Sequence, residues 1–161
     1  LFNVPASKIE VHVHPESVVH SAVEFSDGSV ISQMGVPDMR IPISLALNYP
    51  KRLDLDVERL NLFEVGNLHF EKPDRNVFTC LDQAYKALEK GGVQTAALNG
   101  ANEELVSMFL RGDIGYLDIQ RTLEKIMDED YTKPANTVEE ILEIDEAARR
   151  KARGLVKNIK C

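Results

Sequence analysis

NVFTCLDQAYKALEKGGVQTAALNGANEELVSMFLRG, residues 76–112, carries apolar residues at helical spacing and is broken by glycine at 91–92 and at 112. Leu81, Ala84, Tyr85 and Leu88 fall on one face of a 3.6-residue period, and Gly91-Gly92 supplies the stop. Thr79 with Asp82 three residues on has the spacing of a capping box. Leu98, Ala101, Leu105, Met108 and Phe109 continue the pattern as far as Gly112. Beyond it, Asp118 can cap a third helix carrying Ile119, Leu123, Ile126 and Met127. Thr137 with Glu140 marks a capping box for a fourth, which places Ile141, Leu142, Ala148, Ala152, Leu155, Val156 and Ile159 inside. Four amphipathic helices with short joints predict an antiparallel bundle over 76–161.

Upstream the period changes. Residues 8–14 alternate Ile9, Val11 and Val13 with Glu10, His12 and His14, the pattern of a half-buried strand. Residues 21–26 and 29–34 flank Asp27-Gly28, a two-residue hairpin signal that opposes Phe25 to Val30 and Val23 to Ser32. Those four share one predicted face, with Ala22, Glu24, Ile31 and Gln33 on the other. A short helix is expected over about 38–48, with Pro42 in its first turn and Pro50 as its stop. Residues 50–75 lack sustained periodicity and are bracketed by prolines, which reads as a long connector between two units. Strands first and helices afterwards make the expected class α+β.

With 161 residues there is room for one domain or two small ones, burying roughly two thirds of the unfolded surface. Cys80 and Cys161 form no CxxC motif and no disulfide framework, so a reducing compartment is the default. No apolar run approaches the roughly 18 residues of a spanning helix. A net charge of −7 disfavours a dedicated nucleic-acid binder. Residues 147–161 are locally basic through Arg149, Arg150, Lys151, Arg153, Lys157 and Lys160, and read as a solvated helix face suited to the negative end of the dipole. The chain opens Leu1-Phe2-Asn3 without Met, which suggests a piece of a longer protein.

Candidate chemistry gathers in two segments that come directly off strand ends: HPESVVHS (14–21) and GVPDMR (35–40). His12 and His14 share a strand face, and His20 follows six residues later, so the three with Glu10 or Glu16 could make a metal set; the plainer alternative for His12 and His14 is a pair of polar histidines at a strand end. His20, just before the hairpin, suits an imidazole positioned near a ligand. Met39 suits packing against a planar or apolar ligand, or plugging the helix that follows. Asn99 to Glu104 is polar within a helical stretch and reads as an interhelix or domain-docking face. There is no Gly-rich dinucleotide fingerprint, Walker loop or GxSxG.

HPESVVHS, followed by DGSVISQMGVPDMRIPI (27–43) and TAALNGANE (95–103), closely resembles the 1-deoxy-D-xylulose 5-phosphate reductoisomerase family. The match runs in order over essentially the whole chain and covers the C-terminal two fifths or so of a family member. The resemblance implies the end of an α/β catalytic domain with a hairpin-containing sheet (1–49), a connector (50–75) and a C-terminal four-helix bundle (76–161). It implies an NADPH- and divalent-metal-dependent parent enzyme that makes 2-C-methyl-D-erythritol 4-phosphate in non-mevalonate isoprenoid synthesis. NADPH and Mg²⁺ or Mn²⁺ would be held by residues before Leu1, and the fragment alone would be inactive. His20 is implied to be catalytic, Ser17 to lie near the substrate's phosphate, and Pro37 and Met39 to wall the pocket, with Met39 near substrate and nicotinamide. The implied partners are a small phosphorylated sugar and a second copy bound through 8–34, with no nucleic acid or membrane. The implied location is bacterial cytoplasm or a plastid. The alternative is a free-standing helical interaction module without enzymatic activity.

Overall fold

The computed structural model describes residues 4–129, 131 and 133–157. Among these the chain is helix-rich, with one two-stranded antiparallel sheet and six helices. None of the helices is long and apolar enough to cross a membrane. The described residues fall into two compact units, one of residues 4–10 with those from 74 to 157 and one of Val11–Pro73.

The first unit is helical: a 3-10 turn at Ala6–Lys8, then α3 (Thr79–Lys90), α4 (Gln94–Leu110), α5 (Tyr116–Met127) and α6 (Val138–Lys157). Helix α4 is packed on three sides, against α3, α5 and α6. Half of its buried positions are small: Ala97, Gly100 and Ala101, facing Ala148 and Ala152 in the same core. Leu105, Leu123 and Ile126 are fully enclosed, each worth about 1.5–3 kcal/mol of transfer free energy. At Gly100 the backbone of α6 lies close against α4. A Cβ there would lie 2.8 Å from the backbone oxygen of Asp145 and 2.5 Å from its Oδ1.

Charge lines the flanks of that contact. Arg149 pairs with Asp145 and reaches Glu103 at 2.5 Å, while Arg153 joins Glu104 at 2.9 Å and Glu146 at 2.8 Å. Lys151 pairs with Glu129 and Arg150 faces Glu146. Arg149, Arg150, Lys151 and Arg153 are therefore paired with acids of α4, of α6 and of the turn after α5. Asn99 to Glu104 does lie on a helix–helix face, through Gly100, Glu103 and Glu104. Ile159, Lys160 and Cys161, expected at the end of the last helix and its basic tail, lie outside the described residues.

The helix caps divide into one success and two shifts. At α6 both arms of the box form: Glu140 N–H donates to Thr137 Oγ1 at 3.2 Å, and Glu140 Oε2 accepts from the N–H groups of Thr137 and Asn136. Thr137→Ala is expected to cost about 1 kcal/mol, read as a lower denaturant midpoint at unchanged slope. At α3 no box forms. Asp74 winds the chain up a turn early, accepting from Asn76 N–H on its carboxylate and from Phe78 N–H on its carbonyl. Thr79 is already helical and its hydroxyl is buried without a partner, while Asp82 binds Arg75 and Lys86. At α5, Asp118 sits inside the first turn and reaches back to the N–H of Gly115 at 2.9 Å. Ile141 and Leu142, expected inside, are exposed, whereas Ala148, Ala152 and Val156 are buried.

The second unit holds β1 (Val19–Glu24), β2 (Val30–Met34), α1 (Arg40–Asn48) and the single turn α2 (Leu62–Val65). Helix α1 matches expectation, with Pro42 in its first turn and a halt before Pro50. The hairpin register does not. Glu24 pairs with Val30, Val23 with Ile31 and Ala22 with Ser32, one residue away from the predicted pairing. Asp27 accepts from both N–H and hydroxyl of Ser29, and Phe25 N–H reaches Ser29 O. The loop thus has three residues, with Gly28 at φ 82° taking the left-handed position. A one-residue slip exchanges faces, so Phe25, Val23 and Ile31 share one side and Val30 joins Ala22 and Glu24.

Residues 8–14 are not a strand. Among the described residues only Val13 pairs there, through two 2.9 Å hydrogen bonds with Glu71. Alternation alone cannot make a strand without a ladder partner, and Ile9, Val11 and Val13 are all exposed. Residues 50–73 hold only α2, capped by Asn61, and that bridge, and 51–73 belong to the same compact unit as the hairpin.

Candidate functional site

The hairpin ladder gathers both candidate loops at one end. Val19 pairs with Met34, and Gly35 N–H continues the ladder to Val18 O at 3.0 Å. HPESVVHS therefore enters the sheet where GVPDMR leaves it. Ser17, His20, Pro37 and Met39 all lie within a few residues of that junction.

Two backbone irregularities fall on the candidate residues themselves. Between the pairs Val19–Met34 and Ser21–Gln33 the first strand uses two steps and the second only one, which leaves His20 as the extra residue of a bulge. A bulge bends its strand and re-aims a side chain, and such features favour active-site edges. His20 is exposed there. Ser17 has φ 51°, among the described residues a lone non-glycine in the left-handed region. Strain of that kind collects at ligand clamps. Neither irregularity has a signature in the sequence.

On the other loop, Asp38 locks the entry to α1. Its carboxylate accepts from Arg40 N–H at 2.9 Å and pairs with the guanidinium at 2.6 Å, which holds the acid below its ordinary range. Arg40 also donates to Asp56 O at 3.1 Å. With the loop fixed on both sides, Met39 stands 69% exposed, so it does not plug the helix. Pro37 is exposed beside it.

Behind the first loop lies a cluster that sequence reasoning missed. Glu16 Oε2 accepts from the N–H of His69 at 3.1 Å and lies 3.1 Å from Nδ1 of His14, while Oε1 meets Nδ1 of His69. The hydrogen bonds from His69 drive the carboxyl down to about 2. His14 Nδ1 also meets His69 O at 2.8 Å, and since both its contacts are acceptors this nitrogen carries the proton. The His14 ring stacks on Phe70 at 4.6 Å, with His12 edge-on to the same ring at 6.4 Å. His14 is thus a nearly enclosed residue rather than a polar strand end, with 7% of its side chain exposed. These contacts engage the Nδ1 atoms of both rings, while His14 Nε2 is buried without a hydrogen-bond partner. Among the described residues no group of three or more His, Cys, Asp or Glu side chains could hold an ion. A hollow of about 390 Å³ between α3, α4 and α5 holds only Cys80 as a titratable group, and burial pushes that thiol up.

Comparison with known proteins follows from the same segments. The family described as DXP reductoisomerase C-terminal domain matches residues 34–151. The 1-deoxy-D-xylulose 5-phosphate reductoisomerase 1 of Bacillus anthracis is 47% identical over 156 residues, 97% of this chain and 40% of that protein. The reductoisomerase of Methylobacillus flagellatus is 50% identical over 152 residues, 94% of this chain and 39% of that protein. The chain thus spans about 40% of the length of the curated relatives it matches. Among solved structures, the Zymomonas mobilis reductoisomerase in complex with NADPH aligns at a TM-score of 0.87 and 40% identity, covering 96% of this chain and 41% of that one. A DOX-P reductoisomerase in complex with NADPH, fosmidomycin and magnesium aligns at 0.89 and 38% identity, covering 99% and 41%.

Proposed function

Because the chain belongs to the DXP reductoisomerase family, we propose that it is the C-terminal part of an NADPH- and divalent-metal-dependent enzyme that converts 1-deoxy-D-xylulose 5-phosphate to 2-C-methyl-D-erythritol 4-phosphate. The observation that carries the reading is the meeting of both candidate loops at one end of the hairpin, with the bulge at His20 and the left-handed Ser17 between them. Residues 1–49 end the catalytic domain, 50–75 connect, and 76–161 form a C-terminal four-helix bundle. The parent enzyme uses NADPH and Mg²⁺ or Mn²⁺ and works in bacterial cytoplasm or a plastid. The work of Ser17, His20, Pro37 and Met39 is substrate contact.

Each side chain then has a limited task. The hydroxyl of Ser17 donates to an oxygen of the substrate's phosphate. The imidazole of His20 orients a substrate oxygen and stabilises charge that develops on it. Met39 and Pro37 wall the pocket with apolar surface, Met39 beside the substrate and the nicotinamide, keeping water from the reacting carbon.

Purified full-length enzyme should consume NADPH only with the substrate and a divalent ion present. The 161-residue chain should consume none. Turnover by the short chain, or none by the long one, contradicts this assignment. A short chain that is inactive although its full-length parent also lacks turnover would favour a free-standing interaction module.

Association is expected through 8–34. Val23, Phe25 and Ile31 share one hairpin face and are 58%, 49% and 66% exposed, an apolar surface next to unpaired strand edges that calls for a cover. The cover proposed is the same region of a second copy. Val23→Asp should shift a light-scattering mass from dimer toward monomer or aggregate, whereas Leu123→Ala should loosen the helices and leave the dimer intact. A monomer at micromolar concentration without substitution would refute the dimer.

A further inference from the structure

Ser17 N–H closes a turn on His14 O at 3.1 Å, so residues 14–17 form one reverse turn with Glu16 at its third position. A left-handed non-glycine residue persists only where its surroundings over-determine it. Here the over-determination comes from 53 residues away. Glu16 spends both oxygens on His69, one on the ring and one on the backbone N–H, and shares the second with His14. The Val13–Glu71 bridge and the His14–Phe70 stack hold the two segments together on either side.

We infer that Glu16 is a positioning residue: through His69 it latches the 14–17 turn to residues 69–71 and so holds Ser17 in the conformation that meets the substrate's phosphate. This inference rests on the functional reading above. Glu16 itself touches no substrate. Releasing it frees the turn to relax toward ordinary backbone angles and moves the Ser17 hydroxyl. Such a displacement weakens a contact to the non-reacting end of the substrate, which appears in KM more than in kcat.

The test uses the full-length enzyme with Glu16→Ala, His69→Ala, their double variant and Glu16→Gln. Each single alanine variant should raise the substrate KM by about 10-fold or more, since small misplacements of a positioned group carry penalties of that order. The KM for NADPH should stay constant and kcat should fall less than about 3-fold. The double variant should be no worse than either single, because one latch is broken in all three. Glu16→Gln keeps an oxygen for the His69 N–H and should recover most of the loss. An unchanged substrate KM in an active enzyme overturns the latch alone. So does a parallel rise in both KM values with a fallen melting temperature, which marks a merely structural role. An unsubstituted enzyme without turnover overturns the functional reading beneath it.

Discussion

Replacing His20 by glutamine in the full-length enzyme is expected to lower kcat/KM by about 10- to 1000-fold, or about 1.4–4 kcal/mol of transition-state stabilisation. The melting temperature and the affinity for NADPH should barely move. His20 is exposed on a strand whose hydrogen-bond ladder skips it, so its ring supports little packing, and a polar amide of similar size disturbs no core. A histidine kept for the fold would show the opposite order, with stability lost first and activity only through unfolding. Steady-state kinetics and thermal unfolding on one preparation separate these outcomes. An unchanged kcat/KM, or a loss that follows the melting temperature, would remove His20 from the chemistry.

Gly100→Ala carries the second large expectation, in stability. Alanine favours a helix over glycine by about 1 kcal/mol, so on propensity alone the substitution should help. At this position the added methyl would sit 2.8 Å from a backbone oxygen of α6. A flexible side chain such as the Asp145 carboxylate could turn aside, but a helix backbone cannot. The two helices must separate, which loosens the Ala97, Ala101, Ala148 and Ala152 seam. Overpacking outweighs propensity, for a net loss of about 2 kcal/mol in denaturant unfolding. Gly154 in α6 is the matched control, because a Cβ there meets nothing within 4 Å. Gly154→Ala should stabilise by about 0.5–1 kcal/mol. Equal stabilities for the two variants would refute the close-approach account.

What could be read in advance was local. The Thr137–Glu140 box, the start of α1 near Pro42 and the end of α3 at Gly91 are each decided within four or five residues. All three stand where the residues place them. The hairpin turn was half legible: Asp27-Gly28 marks it, but Ser29 capturing the Asp27 carboxylate adds a residue and slips the register. The alternation of 8–14 failed because a strand needs a partner, and the lone pairing residue for Val13 is Glu71. For the same reason the Glu16–His69 latch was hidden, since no local pattern links an acid to an imidazole 53 positions later. Motif composition pointed to the loops at Ser17, His20, Pro37 and Met39. The bulge and the left-handed turn that shape them arise only from pairing.

In the proposed parent enzyme these two loops form one wall of the substrate pocket, which a crystal structure of the full-length protein with substrate or a phosphonate analogue, NADPH and Mg²⁺ would test. The expected result puts Ser17 Oγ within about 3 Å of a phosphate or phosphonate oxygen, in hydrogen-bond range. It also puts the His20 ring against the substrate and Met39 beside the nicotinamide. A ligand bound with Ser17, His20 and Met39 all out of contact would contradict the claim.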